Sequence, residues 1–361
     1  MVTKDSIQDD ALTASEGKLR CCVVGSVGVG KTLLGLKHMA RRFREDTFFL
    51  VVASKVSIFE AWIEEATKYG FEYLLPNIRF STYLSLNKQD LDYDCVYFDE
   101  AHNILPSHES WLASFPNTML ALTGTPPKYQ TSAKGKIFYK YFPVVYEYLT
   151  DDGVNDGVLN DYEIFVHMIN LGITPNVKSG KAPKFFYTTE KANYTYWTKR
   201  CDEASGSKNQ LITRVMRMKA LMTYPSKEQY VKSLLFSMSS TDKVLLFANT
   251  QEQADKLCHY SYHSKNSNSK VNLNAFKEGK INELSCVLQI SEGVNIPNLK
   301  IGIIMHAYGN ERKSSQRIGR MMRLNPKDKC TIHILCYKDT IDEYWVKTAL
   351  EDYDQTKITY L

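Results

Sequence analysis

The run Gly25-Ser26-Val27-Gly28-Val29-Gly30-Lys31-Thr32 constrains this chain more than any other. Glycines at Gly25, Gly28 and Gly30 let backbone N–H groups turn inward around a phosphate, Lys31 reaches the terminal phosphates, and the Thr32 hydroxyl is placed to ligate a divalent cation. A loop of this kind needs a strand before it and a helix after it. Leu19 to Val24 is a short run rich in β-branched residues and thiols, and from Leu33 to Arg44 apolar residues recur at helical spacing. Strand, loop and helix therefore stand in the order that a phosphate-binding loop requires.

Further along, Val96-Tyr97-Phe98 runs straight into Asp99-Glu100-Ala101-His102. An apolar strand that ends on two adjacent carboxylates is how a buried parallel strand delivers chemistry into a crevice at its carboxyl end. Adjacent strand-end side chains point in different directions. Asp99 can thus hold Mg²⁺ while Glu100 orients and deprotonates an attacking water.

The rest of the chain alternates strands and helices. Phe48–Val52, Ile78–Thr82, Cys95–Phe98 and Met119–Leu122 read as strands, with a helix through Ile58, Trp62 and Ala66. Between Lys128 and Ser240 the pattern loosens. Asp151-Asp152-Gly153 and Asn155-Asp156-Gly157 are turn formers and mark a candidate linker, Tyr162–Met168 reads as a strand, and Thr174–Gly180 as a loop. The lysines 178, 181 and 184 sit beside Phe185, Phe186, Tyr187 and Trp197; those aromatics are expected to pack in a core, with a basic and aromatic contact surface as the alternative. Alternation resumes from Val244 to Leu350, and the division expected is a first domain over 1–150 and a second over 151–361, loose at about 170–240.

Length and composition fit that division. A chain of 361 residues with 43% hydrophobic and 24% charged residues is ordinary for two globular domains, and a net charge of +5 is compatible with a polyanionic partner without demanding one. None of the eight cysteines forms a C-x-x-C pair, and several lie in apolar runs, which predicts buried reduced thiols and a reducing intracellular compartment. No apolar run approaches the roughly 20 residues that cross a bilayer.

Together these stretches resemble the motifs of superfamily 2 helicases. Asp99-Glu100-Ala101-His102 is similar to motif II in its DEAH form, Thr123-Gly124-Thr125-Pro126 to motif III, and Ser291-Glu292-Gly293-Val294-Asn295-Ile296-Pro297 to motif V. Gln316-Arg317-x-Gly319-Arg320-x-x-Arg323 is similar to motif VI, while Val51 to Lys55 with Trp62, and Ser81-Thr82-Tyr83, look like motifs Ia and Ib. The compact phage UvsW-type helicases and their relatives XPB and RecG look closest. The resemblance implies two tandem RecA-like α/β domains with the ATP site in the cleft between them, and an enzyme that couples ATP hydrolysis, with Mg²⁺, to remodelling nucleic acid. It implies that Lys31, Thr32, Asp99 and Glu100 bind and cleave ATP, that His102, Thr123 and Thr125 couple that site to nucleic acid, and that Gln316, Arg320 and Arg323 reach the γ-phosphate. Gln8 stands 23 positions before Lys31, where relatives carry an adenine-reading glutamine, although an ordinary exposed glutamine fits that position equally well.

The motif V stretch departs from the usual pattern, with Val287 near the place of a threonine and Asn295 in the place of an aspartate. Ser54, Lys55, Thr82, Tyr83, Asn249, Thr250, His263 and Ser264 are small or polar groups at predicted strand ends, suited to phosphate oxygens. The partner expected is DNA, branched or forked, acted on by a monomer. Met321 and Met322, in place of the glycine-containing pattern of RNA-acting relatives, favour DNA. A DEAH-type RNA helicase and an ATP-responsive clamp without unwinding are the alternatives.

Overall fold

A computed structural model describes residues 2–26, 28–287, 296, 299–306 and 329–361. The chain divides into two compact units that part between Asn160 and Asp161. In the first, α1 (Lys4–Ser15) precedes β1 (Arg20–Gly25), α2 (Lys31–Arg42), β2 (Phe49–Ala53), α3 (Ser57–Lys68), β3 (Ile78–Thr82) and β4 (Cys95–Asp99). The short α4 (Glu109–Ser114), β5 (Thr118–Thr123), α5 (Ala133–Tyr141), β6 (Val144–Tyr148) and α6 (Thr150–Asn155) follow. The strands form one parallel sheet in the order β3-β2-β4-β5-β1-β6.

Both faces of this sheet are covered, which is why its strands read as unbroken apolar runs. Alternate residues feed two cores: Cys22, Val24, Leu50, Val52, Val96, Phe98, Met119 and Ala121 on one face, Cys21, Val23, Phe49, Val51, Cys95, Tyr97, Leu120 and Leu122 on the other. Because the strands are parallel, all their carboxyl ends lie along one sheet edge. Val24 pairs with Thr123 and Asp99 with Leu122, so the P-loop, the acidic pair and Thr123 emerge side by side. All eight cysteines are free and buried. Burial pushes the Cys21 thiol up to about 11 and Cys95 to about 12, leaving them protonated packing residues at neutral pH.

The second unit opens with β7 (Asp161–Ile169), an antiparallel hairpin of β8 (Val177–Lys181) and β9 (Lys184–Thr188), and helices α7 (Glu190–Glu203), α8 (Gln210–Thr223) and α9 (Pro225–Ser237). After β10 (Val244–Phe247), α10 (Gln251–Leu257), β11 (Ser261–Tyr262) and α11 (Ser269–Lys277) come β12 (Glu283–Cys286), β13 (Ile301–Ile304), β14 (Lys329–Tyr337), α12 (Ile341–Ala349) and β15 (Ile358–Tyr360). Its parallel sheet runs β11-β12-β10-β13-β14-β7-β15. A buried lysine ties the middle of this unit together: Lys227 Nζ donates to the carbonyls of Met305 at 2.9 Å and Leu335 at 3.0 Å, and meets the Asp342 carboxylate at 2.5 Å. No helix among the described residues is long and apolar enough to cross a membrane.

Three expectations for the loose stretch change. Residues 151–157 are no linker: Asp151 and Asp152 sit in the first turn of α6, and Asp152 Oδ2 accepts from Leu149 N at 2.7 Å, so a turn-forming composition caps a short helix inside the first unit. Val177–Gly180 belongs to a strand, not a loop. Phe185, Phe186 and Tyr187 are not core residues; they are 51%, 59% and 66% exposed, because the hairpin that carries them joins neither parallel sheet.

Close packing of α2 against α3 rests on Gly35, where an added Cβ would stand 2.5 Å from Trp62 Cη2 and 3.3 Å from Leu122 Cδ1. Helix propensity alone would make Gly35→Ala stabilising by about 1 kcal/mol. Trp62 is fully buried and has nowhere to retreat, so the substitution is expected to destabilise by about 1–3 kcal/mol, measured by urea unfolding. A Gly35→Ala variant more stable than the wild type would contradict this packing.

Candidate functional site

The P-loop leaves β1 and enters α2 through Gly28 and Gly30, whose φ values of 106° and 81° lie in the left-handed region. A side chain at Gly30 would in addition collide with Gln8, its Cβ only 2.6 Å from Gln8 Nε2. Lys31 Nζ donates to the carbonyls of Gly25 at 3.0 Å and Ser26 at 3.4 Å, so the ammonium spans the loop mouth. Thr32 is half-buried in the first turn of α2.

Gln8 is not the ordinary exposed glutamine that its sequence context equally allowed. It lies on α1, is 3% exposed, and donates from Nε2 to Val29 O at 2.9 Å and Gly30 O at 3.4 Å. Its Oε1 is buried without a hydrogen-bond partner. A buried acceptor left open beside a phosphate loop suits an N–H group of a bound ligand.

At the end of β4, Asp99 is almost wholly buried. Its Oδ2 accepts from Trp62 Nε1 at 2.9 Å, and its backbone carbonyl accepts from Tyr83 Oη at 2.8 Å. Burial, reinforced by the neighbouring Glu100 charge, raises the Asp99 pKa to about 6; the Trp62 hydrogen bond and Lys31 oppose the rise. The next residue, Glu100, has φ 50° and ψ 55°, left-handed for a side chain that rarely goes there. Such a conformation costs of order 1–3 kcal/mol and turns the second carboxylate off the strand direction.

Glu100 and the β5 end meet through one imidazole. His102 Nδ1 lies 3.3 Å from Glu100 Oε2, 3.0 Å from Thr123 Oγ1 and 3.5 Å from Thr125 Oγ1, and Thr125 N donates to Thr123 Oγ1 at 3.2 Å. A Cβ on Gly124 would stand 3.2 Å from Gly25 O and 3.5 Å from Lys31 Nζ. The loops after β1, β4 and β5 therefore converge. Of the residues singled out in sequence, Gly25, Gly30, Lys31, Asp99, Glu100, His102, Thr123, Thr125 and Gln8 all enter this cluster.

The candidate nucleic-acid contacts divide. Ser54 and Lys55 follow β2, and Thr82 ends β3, at the same sheet edge. Tyr83 is a correction: it is 6% exposed, stacks on Phe98, and spends its hydroxyl on Asp99 O, because its ring fills the core under β4. In the second unit Asn249, Thr250 and His263 line one open cavity of about 750 Å³ with Asp255 and Lys265. Ser264 adjoins it, accepting from Gln251 Nε2 at 2.9 Å. Thr250 also caps α10. His263 Nε2 is 2.8 Å from Asp255 Oδ1, and hydrogen bonds from His263 and Ser261 hold that carboxyl below its usual range.

Trp62 was visible in sequence as a helix and motif residue; that its indole grips Asp99 was not, since the two stand 37 positions apart. Nor was the pairing of His263 with Asp255. Gln316, Arg320, Arg323 and the motif V residues other than Ile296 lie outside the described residues.

Comparison with known proteins follows the same division of the chain. Residues 226–325 match the helicase conserved C-terminal domain, and residues 3–128 match the family described as type III restriction enzyme, res subunit. The chain is 21% identical over 365 residues to the DNA 3'-5' translocase XPB2 of Sulfurisphaera tokodaii, spanning 93% of this chain and 82% of that protein. Its fold is similar to the Hef helicase domain of Pyrococcus furiosus, with TM-score 0.54 and 15% identity over 96% of this chain and 97% of that one. It is also similar to S. cerevisiae Dbp5 bound to RNA and ADP BeF3, with TM-score 0.58 and 13% identity over 98% and 89% of the two chains. Both parallel-sheet units are RecA-like domains.

The raised Asp99 pKa gives a signed prediction. A carboxyl whose pKa is raised to about 6 when folded, above its unfolded value, costs no stability well below pH 4, and its cost grows as pH rises through that window and is full at neutral pH. Asp99→Asn removes that cost, so the ligand-free variant should gain more melting temperature over wild type at pH 7.5 than at pH 5. An equal gain at both, or a larger gain at pH 5, would mean that Asp99 is not held at a raised pKa.

Proposed function

We infer that this chain, an ATP-hydrolysing helicase of superfamily 2 with two RecA-like domains, is a motor that moves on DNA and remodels duplexes or branches. The observation that carries the reading is the place of His102, whose Nδ1 hydrogen-bonds Thr123 Oγ1 at the end of β5 and lies 3.3 Å from Glu100 Oε2 after β4, beside the P-loop. A change in charge at Glu100 is felt by His102, and through it by the loop of Thr123 and Thr125; that is how hydrolysis would be coupled to movement. DNA as the track is supported by the likeness to a protein named a DNA 3'-5' translocase.

ATP fits the residues present. Lys31 donates to two backbone carbonyls and would exchange them for phosphate oxygens, which offer it far more negative charge. Gln8 Oε1 is the open acceptor for an adenine N–H. Thr32 and Asp99 are the residues to hold Mg²⁺, which when bound offsets phosphate charge and draws the Asp99 pKa down. Glu100, in this DEAH-like motif, orients the attacking water and takes its proton. Arg320 and Arg323 would supply positive charge to the γ-phosphate as it transfers, and Gln316 a hydrogen bond. Ser54, Lys55, Thr82, Asn249, Thr250 and Ser264 contact phosphate and sugar, because a moving protein must treat all sequences alike, while His263, 3% exposed and 2.8 Å from Asp255, positions the loop beside them.

Four variants separate these roles. Lys31→Ala is expected to weaken ATP binding, whereas Glu100→Gln keeps binding and abolishes turnover. Arg320→Ala and Arg323→Ala should bind ATP nearly as wild type yet hydrolyse it about 10³-fold more slowly. A wild-type rate for Glu100→Gln would remove it as the base. The track is tested by ATPase stimulation and strand displacement across matched single-stranded, duplex, forked and four-way DNA and their RNA counterparts. Stimulation by RNA alone would overturn the DNA reading, and stimulation without displacement or movement would leave a clamp.

A further inference from the structure

Residues 129–225 lie between the two family matches. Within that stretch the β8–β9 hairpin forms a sheet of its own. A lone two-stranded hairpin gains little stability by itself, and large rings on its surface gain it none. Yet Phe185, Phe186 and Tyr187 stand consecutively on it, each more than half exposed.

The register sorts its side chains. Lys178 pairs with Tyr187, and Gly180 with Phe185, so Lys178, Phe185 and Tyr187 share one face. Lys178 Nζ lies 4.1 Å from the Phe185 ring centroid. Opposite Phe185 stands Gly180, which adds no side chain of its own over the ring beside Lys178, and at φ 100° it is a position that other residues avoid. The other face is the anchored one: Ser179 Oγ accepts from Asn193 Nδ2 of α7 at 2.9 Å, and Val177 packs on the core of the second unit.

Charge decides what this face fits. Residues 177–188 contain three lysines and no Asp or Glu. Residues 177–219 hold ten Lys and Arg against three Asp and Glu, a net of +7 where the whole chain has +5. One of the three acids, Glu190, is fully buried and accepts from Gly172 N, Ser226 N and Ser226 Oγ, so it does not offset the surface charge. Flat rings interleaved with cations and free of acids suit a polyanion that offers unstacked π-faces.

We propose that the β8–β9 hairpin is a stacking platform for single-stranded nucleic acid, with bases on Phe185 and Tyr187 and a phosphate on Lys178. This deepens the motor reading above and rests on it. A duplex keeps its bases stacked on one another and has none to offer the rings, so the platform discriminates in favour of the displaced or leading single strand.

The test is binding of the full chain to fluorescein-labelled dT20 and to a blunt 20-base-pair duplex, at two salt concentrations. The double variant Phe185→Ala/Tyr187→Ala should bind dT20 about tenfold or more weakly, with duplex affinity and ATPase in the absence of nucleic acid unchanged. Lys178→Gln, which leaves the rings intact, should flatten the salt dependence of dT20 binding by about one contact. Tyr187→Trp supplies a direct readout, since its fluorescence should be quenched by dT20 and not by duplex. Wild-type affinity for dT20 in the double variant, or equal losses on single strand and duplex, would overturn the platform while leaving the motor intact. Capture of a protein partner by wild type but not by the double variant, with dT20 binding unaltered, would overturn it in favour of a protein interface. A wild-type chain that binds neither DNA would overturn the motor reading and the platform with it.

Discussion

The burial of one carboxylate sets the terms for the rest of the first domain. Asp99 ends a strand covered on both sides, and an ionised group there is unfavourable unless its oxygens are met. Trp62 meets one oxygen from α3, and Tyr83 meets the backbone carbonyl from the segment after β3. Each of these rings is itself seated by a neighbour, Trp62 against Gly35 and Tyr83 against Phe98. The cost that remains is the raised pKa, and it marks the place where a cation would be bound most strongly.

A second cost sits next to the first. Glu100 adopts a left-handed backbone at the end of β4. That geometry brings its carboxylate within 3.3 Å of His102, which reaches Thr123 in turn. Strain of this kind survives where the surroundings over-determine it. Here the surroundings are three loops leaving parallel strands, and parallel strands are what place three loops at one edge.

What could be read in the sequence follows the range of the forces involved. The P-loop, the strand entering Asp99 and the strand-helix alternation are local patterns, and β3 occupies Ile78–Thr82 as its residues indicate. Contacts between distant segments left no such trace. Nothing at Trp62 announces Asp99, and nothing at His263 announces Asp255. Tyr83 was misplaced for the same reason: a tyrosine at a strand end looks like a surface contact until the ring is seen to fill the space under β4. Gln8 stood at the right spacing, but only the fold could show it buried on the loop. At Asp151–Gly157, composition pointed to a turn where acidic residues cap a helix.

The aromatic hairpin shows the opposite error, a core expected where a surface stands. Three successive rings suggest burial because apolar side chains leave water when a core can take them. A core is available to alternate positions of a strand within a covered sheet, and Phe185–Tyr187 lie on a strand with one neighbour, in a sheet apart from both covered ones. Net charge misled in parallel. A value of +5 spread over 361 residues says little, but residues 177–219 alone carry +7, which leaves the remainder of the chain slightly acidic. Both signals belong to the same stretch. Averaged over the chain they cancel into an unremarkable composition; resolved along it, they place exposed rings and an excess of cations together, a combination that suits a polyanion with bases to stack.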